Sequence, residues 1–224
     1  YDKKHLDFEY EVIQTETDYY GTAAGEGWPG VFCQCDLCRQ ARELGGKNIR
    51  TRSQSLINDD LLIDLPPDNQ LHSLHYGLNL DKVKALLFTH SHSDHCYPED
   101  LENLRWPYSL TRTETLPVYG NEKVAAAILR ACGSLGSDEF RYQYHTVESF
   151  VSFQTKTKQL RLLPLPMTAG ALLIYHIAQK DKSLLYAHDT GFLSQKSLDC
   201  LQNLPGKLNL VSMDCTSQMH HDGG

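Results

Sequence analysis

No run in this sequence approaches the roughly 18 consecutive apolar residues of a membrane-spanning helix, so no membrane span is expected. Residues 1–10 are charged and hold no apolar stretch of the kind that opens a secretory signal. No repeat, low-complexity tract or linker-like segment divides the chain. Basic residues are outnumbered: 21 Lys and Arg stand against 28 Asp and Glu, a net charge of -7. An anionic membrane or a nucleic-acid polymer is therefore not the expected partner, since both demand a basic face. Apolar residues, in contrast, are not scarce. A hydrophobic share of 41% with 22% charged excludes a disordered chain. With 224 residues the chain can bury a core without disulfide staples.

Seven cysteines are present, an odd number. Three of them are crowded into Cys33-x-Cys35-x-x-Cys38, while Cys96, Cys132, Cys200 and Cys215 are scattered. Without an export signal, a disulfide framework is not expected and a reducing cytoplasm is. Closely spaced thiolates favour zinc in a tetrahedral structural site, and three ligands leave one to come from elsewhere in the chain. Free buried cysteines are the plainer account. A catalytic cysteine is the weakest, because the sequence fixes no base partner.

Residues 8–16 alternate apolar with polar, as a half-buried strand does. The glycine-rich run 21–30 lacks dinucleotide-binding spacing. Residues 39–44 suit a short helix ended by Gly45 and Gly46, and 72–76 another. Residues 55–65 suit two strands around an Asn58-Asp59 turn. The apolar run 83–89 has the composition of a buried strand. A helix start is expected at Pro98, an irregular loop over 103–117, and a helix over 122–131 capped by Asn121 and stopped by Gly133. Strands are expected over 159–165, 171–177, 183–187 and 208–213. These elements describe one α/β domain over residues 1–224, with mixed sheets.

The strongest chemical signal is His90-x-His92-x-Asp94-His95, directly after the apolar run. A strand sends alternate side chains to one side, so His90 and His92 are expected to converge on one ion and Asp94 and His95 on a neighbouring point. Imidazole and carboxylate together suit zinc, iron or manganese. Asp189 also follows an expected strand. It can bridge two metals, or it can be an ordinary turn residue. His188 is expected on the opposite side of that strand. Arg50, Arg52, Ser53 and Ser55 are candidates to meet a phosphate, with a solvated edge the plainer account. Arg105, Trp106 and Tyr108 are candidates to cap a pocket, or ordinary packing of an insert.

The motif THSHSDH after an apolar strand, with YAHDTG about a hundred residues later, resembles the metallo-β-lactamase-fold hydrolases. The resemblance runs from Gly21 to Gly224, and the run around Cys33, Cys35 and Cys38 resembles the PhnP-like phosphodiesterase branch. It implies a metallo-β-lactamase-like αββα sandwich of two mixed β-sheets flanked by helices. It also implies two divalent metal ions, zinc or manganese. His90 and His92 would hold the first, Asp94 and His95 the second, and Asp189 would bridge them. Asp94 would also orient the water as a catalytic residue, and Cys33, Cys35 and Cys38 would hold one structural zinc. The implied reaction is hydrolysis of a small phosphodiester or nucleotide-like substrate by a bridging hydroxide, with a homodimer left open.

Some features depart from that branch. Its mid-chain histidine has no counterpart in 164–170, and His176 is expected inside a strand, out of register. His220 and His221 are expected in a surface loop rather than as C-terminal ligands. The family's C-terminal end is expected beyond Gly224, and residues 1–20 as an added N-terminal strand. Rival readings are hydrolysis of a carboxylic ester, thioester or lactone on the same site, or a binding module with a degenerate metal site. An oxygen-reducing role fits less well, because those members carry Glu at the position of His92. The tRNA-maturing branch usually has a basic arm, and none is obvious here.

Overall fold

A computed structural model of the chain describes residues 16–155, 160–167 and 172–213. The strand expected over 8–16 lies outside the described residues except for Glu16, and His220 and His221 lie outside them too. Strand β1 (Thr17–Gly21) leads through the glycine-rich loop to helix α1 (Asp36–Leu44). Strands β2 (Gln54–Ile57) and β3 (Leu61–Ile63) form a hairpin. Its turn lies where expected: Asn58 and Asp59 take φ of 53° and 64°, a left-handed conformation that short polar side chains tolerate. Then follow α2 (Asn69–Tyr76), β4 (Ala85–Leu87), a 3-10 helix over Pro98–Leu104, β5 (Leu116–Gly120) and α3 (Glu122–Cys132). Strands β6 (Gly136–Ser137) and β7 (Tyr142–Thr146) complete the first sheet. The second sheet holds β8 (Phe153–Gln154), β9 (Arg161–Pro166), β10 (Leu173–Gln179), β11 (Lys182–Ala187) and β12 (Leu210–Met213). Helix α4 (Gln195–Gln202) lies between the last two of these strands in the chain.

The first sheet has the order β1-β2-β3-β4-β5-β7-β6 and the second β12-β11-β10-β9-β8. Both are mixed. β3, β4, β5 and β7 run parallel, as do β11 and β12, and the remaining pairs are antiparallel. Strand periodicity divides the side chains between layers. Leu62, Leu86 and Val118 pack outward with Val124 and Ile128 of α3. Ile63, Leu87 and Tyr119 pack inward against Leu162, Tyr175 and Tyr186 of the second sheet. Ile174 and Leu185 face the far side, where Leu201 and Leu204 close over them. This is the expected αββα sandwich. β3 and β4 are covered on both faces, which is why their sequences are unbroken apolar runs.

Several elements went unforeseen. In β7, Tyr142 and Tyr144 are buried while Gln143 and His145 are exposed, a short alternation among polar residues. β5, β8 and α4 were also missed. Among the described residues no helix is long and apolar enough to cross a membrane.

Helix α3 is bounded as expected. The Asn121 side chain accepts from the N–H groups of Lys123 and Val124, at 3.0 and 3.1 Å. Gly133 ends the helix at φ 69°. Replacing Asn121 with Ala should cost about 1 kcal/mol, read as a lower urea midpoint, while Asn121→Asp should retain most of the stability.

Candidate metal centre

The site forms where β4 ends. Phe88 N–H still reaches the Tyr119 carbonyl, but Thr89 N–H turns to the Asp64 side chain instead of a neighbouring strand. The chain then folds into a turn, with the N–H groups of His95 and Cys96 on the His92 carbonyl at 3.0 and 2.7 Å. The histidines therefore converge through a turn, not through the strand alternation expected from the sequence.

Asp64 is fully buried, with φ 65°. Its carboxylate accepts from Thr89 N–H at 2.8 Å, from the Thr89 hydroxyl at 2.9 and 3.0 Å, and from His95 Nδ1 at 2.7 Å. These bonds assign the protons. His95 carries its hydrogen on Nδ1, so its Nε2 lone pair faces the site. The Thr89 hydroxyl has given its hydrogen to Asp64, so it accepts from His90 Nδ1 at 3.0 Å, which leaves the His90 Nε2 lone pair facing the site as well. Fixing a ligand's tautomer through its other ring nitrogen is the usual outer support of a metal site.

His90, His95 and Asp189 bring one ligand atom each to within 4.8 Å of one another. His90 Nε2 lies 3.1 Å from both Asp189 Oδ2 and His92 Nδ1. His95 Nε2 lies 3.5 Å from Asp94 Oδ2. The compact set is thus three residues, with His92 and Asp94 each one step out. Lone pairs and carboxylates that face one another repel unless a cation or proton lies between them, so this donor set fits a divalent metal. Burial disfavours the charged form of His95, yet Asp64, Asp94 and Asp189 outweigh it and raise its pKa. A proton held between His90 Nε2 and Asp189 keeps the pKa of Asp189 low despite burial.

His188 corrects an expectation. β11 ends at Ala187 and Asp189 takes φ 55°, which breaks the alternation. His188 and Asp189 consequently line the same cavity of about 300 Å³, with Tyr19, Arg50, Ser53 and His95. The His188 ring bridges Ser53 Oγ at 3.0 Å and Ser212 Oγ at 2.7 Å. Tyr19 donates to Ser212 at 2.8 Å, and the His188 ring stacks on Tyr186 at 4.1 Å between centroids.

The glycine-rich loop reaches the same place. A Cβ on Gly25 would lie 3.2 Å from Asp94 Oδ2, so the bare backbone allows the close approach. Arg52 holds that loop, donating from Nε to the Gly25 carbonyl while its guanidinium pairs with Asp68 at 3.1 Å. Arg52, Ser53 and Ser55, the last bonded to Tyr186, are therefore engaged in structure. Arg50 alone of that group forms no side-chain ion pair or hydrogen bond among the described residues, and it borders the cavity. Arg105 pairs with Glu102 and packs over Phe140, and Trp106 and Tyr108 are exposed away from the site, so they do not cap it. His176 lies within β10, in register with Leu163 and Leu185 and outside the ligand cluster, as expected.

Cys33, Cys35 and Cys38 also converge, with their sulfurs within 4.8 Å of one another. Cys35 caps α1 and Cys38 is buried in its first turn. The Cys38 backbone N–H pulls the Cys35 thiol below its usual pKa, whereas burial pushes Cys38 up. Three sulfurs on a short turn and helix start fit a structural zinc.

The profile of the beta-lactamase superfamily domain matches residues 60–222. The chain belongs to this superfamily. It is 33% identical over 113 residues to an octanoyltransferase of Porphyromonas gingivalis, covering 48% of this chain and 21% of that protein. It is 27% identical over 120 residues to the exodeoxyribonuclease YycJ of Bacillus anthracis, covering 53% of this chain and 40% of that protein. The chain thus spans less than half the length of either relative. In fold it resembles a diphosphatase of the PhnP family, with a TM-score of 0.64 and 21% identity over 84% of this chain and 70% of the other.

Asp64 is the member of this cluster that sequence reasoning passed over. Its one signal was a lone acid closing the apolar run Leu61-Leu62-Ile63. Asp64→Asn should weaken manganese or zinc binding at the histidines about 10- to 100-fold, measured by titration calorimetry, because Asn sets an amide against the His95 Nδ1 hydrogen. In metal-free protein, iodoacetamide should label Cys35 first and spare buried Cys96, whose thiol is pushed up to about 12 by burial. Added zinc should protect Cys33, Cys35 and Cys38 together, as mapped by peptide mass.

Proposed function

We propose that the chain is a metal-dependent hydrolase acting on phosphodiesters. It would hold two divalent ions, zinc or manganese, on His90, His92, Asp94, His95 and Asp189, and one structural zinc on Cys33, Cys35 and Cys38. The observation that carries this reading is the inward-facing donor set whose tautomers Asp64 fixes. Bound cations there would supply hydroxide at neutral pH and polarise a phosphoryl oxygen.

The rest falls to the protein's own groups. Asp64 and Thr89 hold the imidazoles with their lone pairs inward. Asp94 stands at the rim, 20% exposed, where its carboxylate can orient the attacking water and take its proton. The His188 bridge to Ser53 and Ser212 fixes the backbone just before Asp189. Arg50, which has no ion pair among the described residues, would offer its guanidinium to the phosphate as a planar bidentate donor.

The exodeoxyribonuclease relative and the PhnP-like sequence motifs support a phosphodiester as substrate. The same relative favours a DNA strand, whereas the net charge of -7 favours a small diester. The two substrates are separated by assaying bis(4-nitrophenyl) phosphate beside an end-labelled single-stranded oligonucleotide, with added manganese or zinc. The small diester should be turned over. Asp94→Ala should lower kcat about 100-fold or more, and Arg50→Ala should raise KM about tenfold with kcat nearly unchanged. A wild-type rate no higher than that of Asp94→Ala on either substrate would overturn the hydrolase reading.

A further inference from the structure

Three polar side chains are sealed beneath the outward layer of the first sheet and have no part in the site described above. Gln54 of β2 and His72 of α2 are fully buried, and Asn69 of α2 nearly so. Gln54 stands on the same face of β2 as Leu56, which packs in that outward layer. Its amide is engaged at both ends. Nε2 donates to the Asp64 carbonyl at 3.0 Å and to Asn69 Oδ1 at 2.6 Å. Oε1 accepts from His72 Nδ1 at 2.5 Å, and His72 Nε2 meets the Thr51 hydroxyl at 2.7 Å. Asn69 donates in turn to Asp100 at 2.8 Å.

The bond to Asp64 bears on the candidate metal centre. β3 ends at Ile63, and at φ 65° the Asp64 main chain turns out of the strand. Asp64 is 0% exposed, so water does not reach its carbonyl, and Gln54 supplies the partner instead. Left unpaired, that carbonyl would carry the desolvation cost of a buried polar group. The ready relief is rotation at Asp64, and rotation there moves the carboxylate away from Thr89 and His95. His72 and Asn69 hold the Gln54 amide from its two ends, so it does not turn over and set its oxygen against the carbonyl. The same chain of bonds reaches the glycine-rich loop, because the Thr51 carbonyl accepts from the N–H groups of Thr22 and Ala23 at 3.0 and 2.8 Å.

We propose that Gln54 is a positioning residue of the candidate metal centre, acting on His90 and His95 through the main chain of Asp64. His72 and Asn69 orient it. None of its hydrogen bonds goes to a candidate ligand, so its effect is on how well the donor set is preformed, not on which donors are present. The inference rests on the metal-binding reading of the histidine cluster. The hydrogen bond from His95 to Asp64, however, exists without metal and can be followed by itself.

The test compares the whole wild-type chain with Gln54→Met, which keeps the bulk of the side chain and removes its donor and acceptor. Leu56→Val, on the same face of the same strand, is the packing control. In metal-free protein the His95 Nδ1 hydrogen should give a slowly exchanging imidazole resonance, assigned by nitrogen-15 correlation. That resonance should persist in Leu56→Val and broaden or vanish in Gln54→Met. Manganese or zinc, titrated calorimetrically, should bind Gln54→Met about tenfold more weakly than wild type, and Leu56→Val within about twofold of it. If Gln54→Met does not fold, Gln54→Asn, which draws the amide back by one methylene, decides on the same criteria. A folded Gln54 variant that keeps either the resonance or the wild-type affinity would overturn the proposal. Equal losses in Leu56→Val would overturn it as an effect of packing. Failure of both Gln54 variants to fold would do so too, by assigning Gln54 to the fold as a whole. If wild type binds no metal, the metal-binding reading fails and the resonance alone decides this inference.

Discussion

The hydrogen bonds gathered on the Asp64 carboxylate set the geometry on which the candidate metal centre depends. One oxygen stops β4 by taking the Thr89 N–H, and the other turns the His95 ring. The Thr89 hydroxyl, tied to both oxygens, passes the constraint on to His90. No water competes for these bonds, because Asp64 and Thr89 are buried and His95 nearly so. In such surroundings each bond is stronger than at the surface, and any one left unmade would be expensive.

The two sheets meet at the same place. Leu173 N–H reaches the Thr89 carbonyl at 3.1 Å, and the Tyr175 hydroxyl donates to the Phe88 carbonyl at 3.0 Å. The end of β4 is therefore held from the second sheet as well as by Asp64. Asp189 arrives from β11 of that sheet, and the His188 bridge joins its backbone to Ser53 on one side and Ser212 on the other. Candidate ligands from distant parts of the chain thus stand on a joint between layers rather than on free loops, which is how a site keeps its geometry without moving parts.

Much of this was legible in the sequence, and the limits have physical causes. The buried strands and capped α3 showed through unbroken apolar runs, the Asn58-Asp59 turn, Asn121 and Gly133. The two side-chain clusters, His90 with His95 and Asp189, and Cys33 with Cys35 and Cys38, showed because His, Cys and Asp at close spacing stand out in a sequence. β7 was hidden because its buried residues are tyrosines set among polar ones, so that alternation was short and faint. Asp64 was hidden because its partners lie 25 and 31 positions away, and nothing local marks an acid as a hydrogen-bond hub. His188 was misplaced because strand periodicity was carried past Ala187, where the strand had already ended.

Two acids of the candidate metal centre, Asp64 and Asp189, share a left-handed backbone at φ 65° and 55°. Aspartate and asparagine visit that region far more readily than residues with longer side chains. The main chain therefore acts as a filter on chemistry at these positions. Glutamate would preserve charge but add a methylene and lose the local conformational tolerance, so it would disturb both the reach of the carboxylate and the path of the chain beneath it. Substitutions that look mildest by charge are disfavoured here by torsion, and the acids best suited to these two positions are fewer than charge alone would suggest.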